Sequence, residues 1–177
     1  MNFIVIGNII MFVASVVMVL AGFCKSRKLT IILQTVQMGI MAAGTLCLGG
    51  FSGAIMNCFS AVRNILSYNG KLDTKAKIAL IVISSCIALS VNNLGIIGFI
   101  PIIVFIMFAL FMNAEDVVYL KLITSIGCVL FFVHDLYIQS YTSAIFNAVT
   151  VMTNVSSIVY ILVQRAKTQS EINKAIA

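Results

Sequence analysis

Two asparagines seven residues apart, Asn57 and Asn64, recur ninety residues later as Asn147 and Asn154. Seven residues is two helical turns, so each pair shares one face of a helix. Ser60 and Thr150 fall between the members of each pair and widen each stripe into a polar seam. An amide offers both a donor and an acceptor without burying a charge. Four amides therefore suit a cavity holding a small, polar, uncharged solute. The competing reading is packing glue, amides bonding from helix to helix with no cavity between them. Arg63 adds a cation beside the first seam. It either snorkels to the headgroups or makes a structural bond, or else it forms an inner gate or meets an anionic group of a substrate. His134 and Asp135 are the natural carriers if protons couple to transport, the alternative being an interfacial pair wetted by water. Pro101 removes a backbone hydrogen bond and marks either a hinge or a packing kink. Asn57, Asn64, Asn147, Asn154, Ser60 and Thr150 are thus the candidate substrate contacts. Arg63, His134, Asp135 and Pro101 are the candidates for gating or coupling.

Enzyme chemistry finds no foothold. The chain has no paired-carboxylate site, nucleophile elbow, metal-ligand cluster or P-loop, so neither catalysis, a cofactor, a metal nor nucleotide-driven pumping is expected. Cys24, Cys47, Cys58, Cys86 and Cys128 form no CxxC pair and read as small core hydrophobes.

These residues must be positioned by elements built for lipid. Hydrophobic residues make up 62% of the chain and charged residues 9%, against about 25% charged in an ordinary soluble domain. That much apolar surface is incompatible with water and matches a bilayer. The fold class expected is all-α and polytopic, with transmembrane helices near 3–23, 29–48, 52–68, 77–95, 97–113, 117–137 and 141–164. The breaks between them are Lys25–Lys28, Gly49-Gly50, Asn69–Lys77, Asn92–Gly98, Asn113–Asp116 and Gln139–Ser140, with a charged tail over 165–177. Phe3 to Phe23 lacks a basic lead segment and reads as a retained first helix rather than a removable signal. Gln34 and Gln37 face the bundle or bond across it, and Gly39 with Ala43 suggests close helix contact.

The net charge of +6 is distributed as membrane topology distributes it, not as nucleic-acid binding does. Lys25, Arg27, Lys28, Arg63, Lys71, Lys75, Lys77, Lys121, Arg165, Lys167 and Lys174 all fall toward one side under this assignment. Basic loops stay in the cytoplasm, which puts the amino terminus outside and the carboxyl terminus inside a bacterial inner membrane. The expected partners are the lipid bilayer and a small polar solute, with no nucleic acid; the possibility of a homo-oligomer stays open.

The ninety-residue shift also faces Ser52-Gly53-Ala54-Ile55-Met56-Asn57 with Thr142-Ser143-Ala144-Ile145-Phe146-Asn147. It aligns the second helix with the sixth and the first with the fifth. Two three-helix units result, 1–68 and 97–164, joined through a connector at 69–96 that carries a lone fourth helix. Three spans plus one restore the chain's direction, so the two units are parallel repeats.

The segment Leu48-Gly49-Gly50-Phe51-Ser52-Gly53-Ala54-Ile55-Met56-Asn57, followed by Ala61-Val62-Arg63-Asn64, resembles the YgjV family of small bacterial inner-membrane proteins. His134-Asp135 resembles a further family feature, in which Asn more often follows the His. The three-plus-one-plus-three plan is similar to that of SWEET sugar transporters and of PnuC-type transporters of vitamin precursors. That resemblance implies polar residues of the third and seventh helices at a midplane substrate. KDEL receptors share the plan and bind a peptide signal, so the resemblance also admits a receptor or scaffold that moves nothing. The expectation is a facilitator or ion-coupled transporter of a sugar, nucleoside or vitamin precursor.

Overall fold

The structure is a computed structural model of the chain and describes residues 2–23, 27–111 and 117–176. Among the described residues it contains helices and no strand: α1 Phe3–Phe23, α2 Arg27–Cys47, α3 Phe51–Tyr68, α4 Thr74–Ser90, α5 Ile100–Phe111, α6 Val117–Tyr137 and α7 Tyr141–Ile176. A 3-10 segment, Gly95–Phe99, leads directly into α5. At about 1.5 Å of rise per residue, the helices of 17 to 21 residues run roughly 26–32 Å. That is the thickness of a hydrocarbon core. By length and apolarity alone, Phe3–Leu20 and Tyr141–Thr168 could each cross a membrane, and Ile31–Cys47 and Gly95–Phe111 are shorter apolar helices.

Several boundaries differ from expectation. The fourth helix starts at Thr74 rather than 77, because the Asp73 carboxylate accepts the Ala76 N–H at 2.8 Å and caps the helix there. It ends at Ser90, short of 95, where the Asn92 side chain accepts from Leu94 N and donates to the Gly95 carbonyl to build a turn. Pro101 lies in the first turn of α5, where its missing N–H leaves no α-helical bond unmade. Its position therefore interrupts no hydrogen bond within α5 and marks the junction with the 3-10 segment. The tail beyond 164 continues α7 to Ile176, since its Gln, Arg, Ala, Lys and Glu residues are good helix formers uninterrupted by Gly or Pro. Arg27 and Lys28 belong to α2, while Cys24, Lys25 and the break Asn113–Asp116 lie outside the described residues.

Large apolar side chains point outward on the helices, among them Phe12, Ile32, Val62, Ile83, Ile103, Val129 and Val155. The inward positions mix small and polar residues with larger apolar ones such as Met11, Met56 and Phe105, and the small and polar ones are the kind that helix contacts in lipid favour. α1 meets α2 at glycines: a Cβ on Gly7 would lie 2.6 Å from Leu48, and one on Gly44 would lie 2.7 Å from the Met11 sulfur. Gly39, expected at a close contact, faces open space instead. Its neighbour Ala43 is exposed too, so the α1 contact belongs to Gly44, on another face of α2. Gln37 is buried, with its Nε2 3.4 Å from the Met41 sulfur. A second packing centre joins α3, α4 and α5 through Met56, Ala88, Ile102 and Phe105. Cys58 and Cys86 face outward rather than into a core; Cys47 and Cys128 are half-buried.

The α2–α3 and α6–α7 connections have matching geometry. Gly49 adopts φ +78° and Gln139 φ +60°. Gly50 N–H donates to the Thr45 carbonyl at 3.0 Å and Gly49 N–H to that of Leu46 at 3.1 Å. Ser140 N–H donates to the Asp135 carbonyl at 2.8 Å and Gln139 N–H to that of Leu136 at 3.2 Å. Both are Schellman turns with one left-handed residue. Each position in one is ninety residues from its counterpart in the other. Asn93 Nδ2 donates to the Gly49 carbonyl and Asn8 Nδ2 to that of Gln139, both at 2.8 Å. The start of α1, both tight turns and the α4–α5 link therefore gather at one end of the bundle.

Candidate functional site

The left-handed turn after α6 folds the first two turns of α7 back over the last turn of α6. Ser143 and Asn147 thereby reach the Asp135 carboxylate. Ser143 O–H donates to Oδ2 at 2.5 Å, Asn147 Nδ2 donates to the same oxygen at 2.9 Å, and His134 Nδ1 lies 3.2 Å from Oδ1. His134 is 1% exposed, and Asp135 and Ser143 are each 4% exposed. Both side chains are buried rather than exposed at the end of α6. Asn8 of α1 clamps the turn, with its Nδ2 on the Gln139 carbonyl and its Oδ1 accepting from Thr142 N at 3.1 Å. α3 covers the imidazole from the other side, where a Cβ on Gly53 would stand 3.4 Å from His134 Cε1. Phe131 packs edge-on to the ring, with centroids 6.3 Å apart.

A buried carboxylate is costly unless donors surround it. Asp135 has three. With Asp135 as a carboxylate, the 3.2 Å contact requires the His134 proton on Nδ1. The ring's other nitrogen, Nε2, is buried and has no partner, and the same holds for the Ser52 and Ser140 hydroxyls.

The first hairpin repeats this arrangement in neutral form. Asn57 Nδ2 donates to Thr45 Oγ1 at 3.4 Å, and Thr45 stands ninety residues before Asp135. Gly44 takes the place of His134 and admits Met11 from α1. Asn57 and Asn147 thus each bond twelve residues back, to the preceding helix of their own hairpin.

The two seams do not bond to one another. α3 packs against α2, α4 and α5, while α7 packs against α6 and α1. Asn64 is buried and its Oδ1 accepts from Arg63 Nη2 at 3.3 Å. Asn154 is half-buried, with its Nδ2 buried and unpartnered. Thr150 donates to the carbonyl of Phe146 in its own helix at 2.7 Å, and Ser60 is half-buried on α3. The Arg63 guanidinium carbon sits 5.6 Å from the centre of the Phe105 ring on α5. It makes structural contacts there, and among the described residues no carboxylate pairs with it. Thr45 and Ser143 are the members of the site that the spacing argument passes over. Extending the ninety-residue shift from Asn147 and Asp135 back to Asn57 would have found Thr45.

Residues 5–165 match the family Imp-YgjV, described as a bacterial inner membrane protein. The chain belongs to the YgjV family. No curated protein and no solved structure matches it. Membership places the protein in the bacterial inner membrane and accounts for the outward apolar faces. In this YgjV protein the polar centre lies beside the α6–α7 turn, at the end of the bundle where both tight turns gather. Ionisable residues buried in membrane proteins are rare and costly.

Proposed function

We propose that this YgjV-family protein transports a small polar solute, such as a sugar, nucleoside or vitamin precursor, between two parallel three-helix repeats. The repeats are 1–68 and 97–164, with 69–96 as connector and α4 as its single span. The observation that carries the reading is the pair of matched hairpins, alike in turn bonds, left-handed residue and twelve-residue Asn bond. Parallel repeats bind substrate near the midplane at their interface and alternate access by rocking against each other. Asn57, Asn64, Asn147 and Asn154 are the proposed solute contacts, with Ser60 and Thr150 beside them. The unpartnered Asn154 amide supports this role. In the proposed orientation the amino terminus and both tight turns face outward. No Lys or Arg occurs in those segments, while Lys71, Lys75 and Lys77 lie at the opposite end of α3.

A specific observation favours a second reading, a receptor or scaffold of the same architecture. Asn57 and Asn147 are already engaged within their own hairpins, and a transported solute must displace or share those bonds. Proteoliposome uptake over sugars, nucleosides and vitamin precursors separates the two, with Asn64→Ala and Asn154→Ala as probes. Losing one hydrogen bond to solute lowers apparent affinity by up to about tenfold. Transport predicts uptake that weakens by that order in both variants at unchanged helicity. No uptake of any class, or uptake indifferent to both changes, rejects it.

A further inference from the structure

His134 is the one histidine in the chain, and its imidazole is buried with a bare nitrogen. A buried polar atom without a partner costs about 1–3 kcal/mol. The cluster is built to hold everything except that atom. Asp135 Oδ1 takes His134 Nδ1–H, and Oδ2 takes Ser143 O–H and Asn147 N–H. Three of the carboxylate's lone-pair sites are taken, and the imidazole's vacant proton site is the Nε2 lone pair. Nε2 faces α3, where a Cβ on Gly53 would stand 3.6 Å away.

We propose that His134 and Asp135 form a proton-binding site whose charge state governs the contact between α6 and the start of α3. A proton from water adds to the Nε2 lone pair, imidazole becomes imidazolium, and the Nδ1–H bond to Asp135 is kept. The charge of the pair goes from −1 with the neutral ring to zero with the protonated ring. A neutral pair crosses low-dielectric surroundings at far lower cost than a lone carboxylate. Protonation also makes Nε2 a donor with no acceptor opposite it. The α6–α3 contact at Gly53 therefore loosens toward an arrangement in which Nε2–H finds water or solute.

No other charge competes for this role among the described residues. α7 presents Ser143 and Asn147 to the cluster, α3 presents Gly53 beside Ser52, and α1 reaches the turn through Asn8. α2 contributes Thr45, which touches the Gly53 position. The segment Gly95–Phe111 carries no ionisable side chain. On α6 itself Cys128 lies seven residues before Asp135, and Lys121 thirteen before His134, about 20 Å along the helix. Tyr137 and Tyr141 are exposed.

The proposal names the coupling ion for the transport reading and rests on that reading for its use, but the switch can be tested without any solute. One histidine and no tryptophan give two clean probes. Phe51→Trp places a single fluorophore at the first residue of α3, beside Ser52 and Gly53. The protein, labelled with 15N-histidine and held in lipid nanodiscs, is titrated between about pH 5 and 9. At the alkaline end the nitrogen spectrum should show the Nδ1–H tautomer, and on acidification a reversible passage to imidazolium. Trp emission should shift with the same midpoint. His134→Gln should abolish the emission change at unchanged circular dichroism. If that variant does not fold, Asp135→Asn must move the nitrogen and emission transitions together. A ring that never titrates, a ring that titrates while emission stays flat, or an emission change surviving in His134→Gln overturns the switch. Failure of uptake with an intact switch instead counts against transport alone.

Discussion

Ser143→Ala tests whether the α6–α7 cluster is held by its carboxylate. Ser143 is 4% exposed and gives Asp135 a hydrogen bond of 2.5 Å. Bonds to ionised groups contribute about 1.5–3 kcal/mol, and the partner left behind here is a buried charge. Ser125 is the matched control. It is 8% exposed on α6, and its hydroxyl returns to the Lys121 carbonyl of its own helix at 2.8 Å. That carbonyl keeps its helical partner when the hydroxyl is removed, so Ser125→Ala should change stability by under about 0.5 kcal/mol. Both substitutions delete one oxygen at similar burial, so the cavity terms cancel and the difference isolates the charged bond. The expected gap is about 1–2.5 kcal/mol, a factor of roughly five to sixty in the folding equilibrium at about 1.4 kcal/mol per decade. Unfolding in mixed micelles with rising SDS, followed by circular dichroism, reads it directly. Equal destabilisation of the two variants would refute the argument that Asp135 depends on its donors.

The tight turns predict opposite responses at equivalent positions. Gln139 holds φ +60° without being glycine, so Gln139→Gly should stabilise by about 0.5–1 kcal/mol. Gly49→Ala, at φ +78°, should cost about 1 kcal/mol or more in the same unfolding assay. On α2, Gly44→Ile drives a branched side chain into Met11 and should destabilise by about 2 kcal/mol or more. Gly39→Ala meets nothing within 4 Å and should gain about 0.5–1 kcal/mol from helix propensity.

Helix count is legible because polar and glycine-bearing breaks separate the apolar runs, and the limits of α1 and α6 match the sequence reading; span length is less so, since α5 has 12 residues and α7 36. Inward faces were harder to read. In lipid both faces of a helix are apolar, so the 3.6-residue alternation that marks a soluble core is weak. Gly39 was therefore assigned the contact that Gly44 makes. Local signals were overlooked where chemistry is subtle. Asp73-Thr74-Lys75-Ala76 is a capped start, and Pro101 follows a 3-10 segment that periodicity cannot see. The site was half legible. The amides and the His-Asp pair stood out by type, but their burial depends on Asn8, more than 130 residues away from the turn it closes.

The ninety-residue correspondence is most informative where it fails. Thr45 in the first hairpin becomes Asp135 in the second, Gly44 becomes His134 and Gly53 becomes Ser143. The replacements are linked physically. A carboxylate at 135 requires donors, and Ser143 and His134 supply two of them. The ring of His134 in turn requires room on α3, which the glycine at 53 leaves. In the first hairpin Asn57 meets only a neutral threonine hydroxyl at 3.4 Å, so no charge needs compensating there. That half carries its ionised group elsewhere, at Arg63 over Phe105. One hairpin thus holds a cation without a described carboxylate partner and the other a carboxylate beside the unpartnered His134 Nε2. A repeat kept for packing alone has no need of this complementary departure, because neutral residues at all four positions would satisfy the backbone and fill the space. The asymmetry costs desolvation on both sides, and the proposed proton site at His134 would neutralise the second hairpin without touching the first.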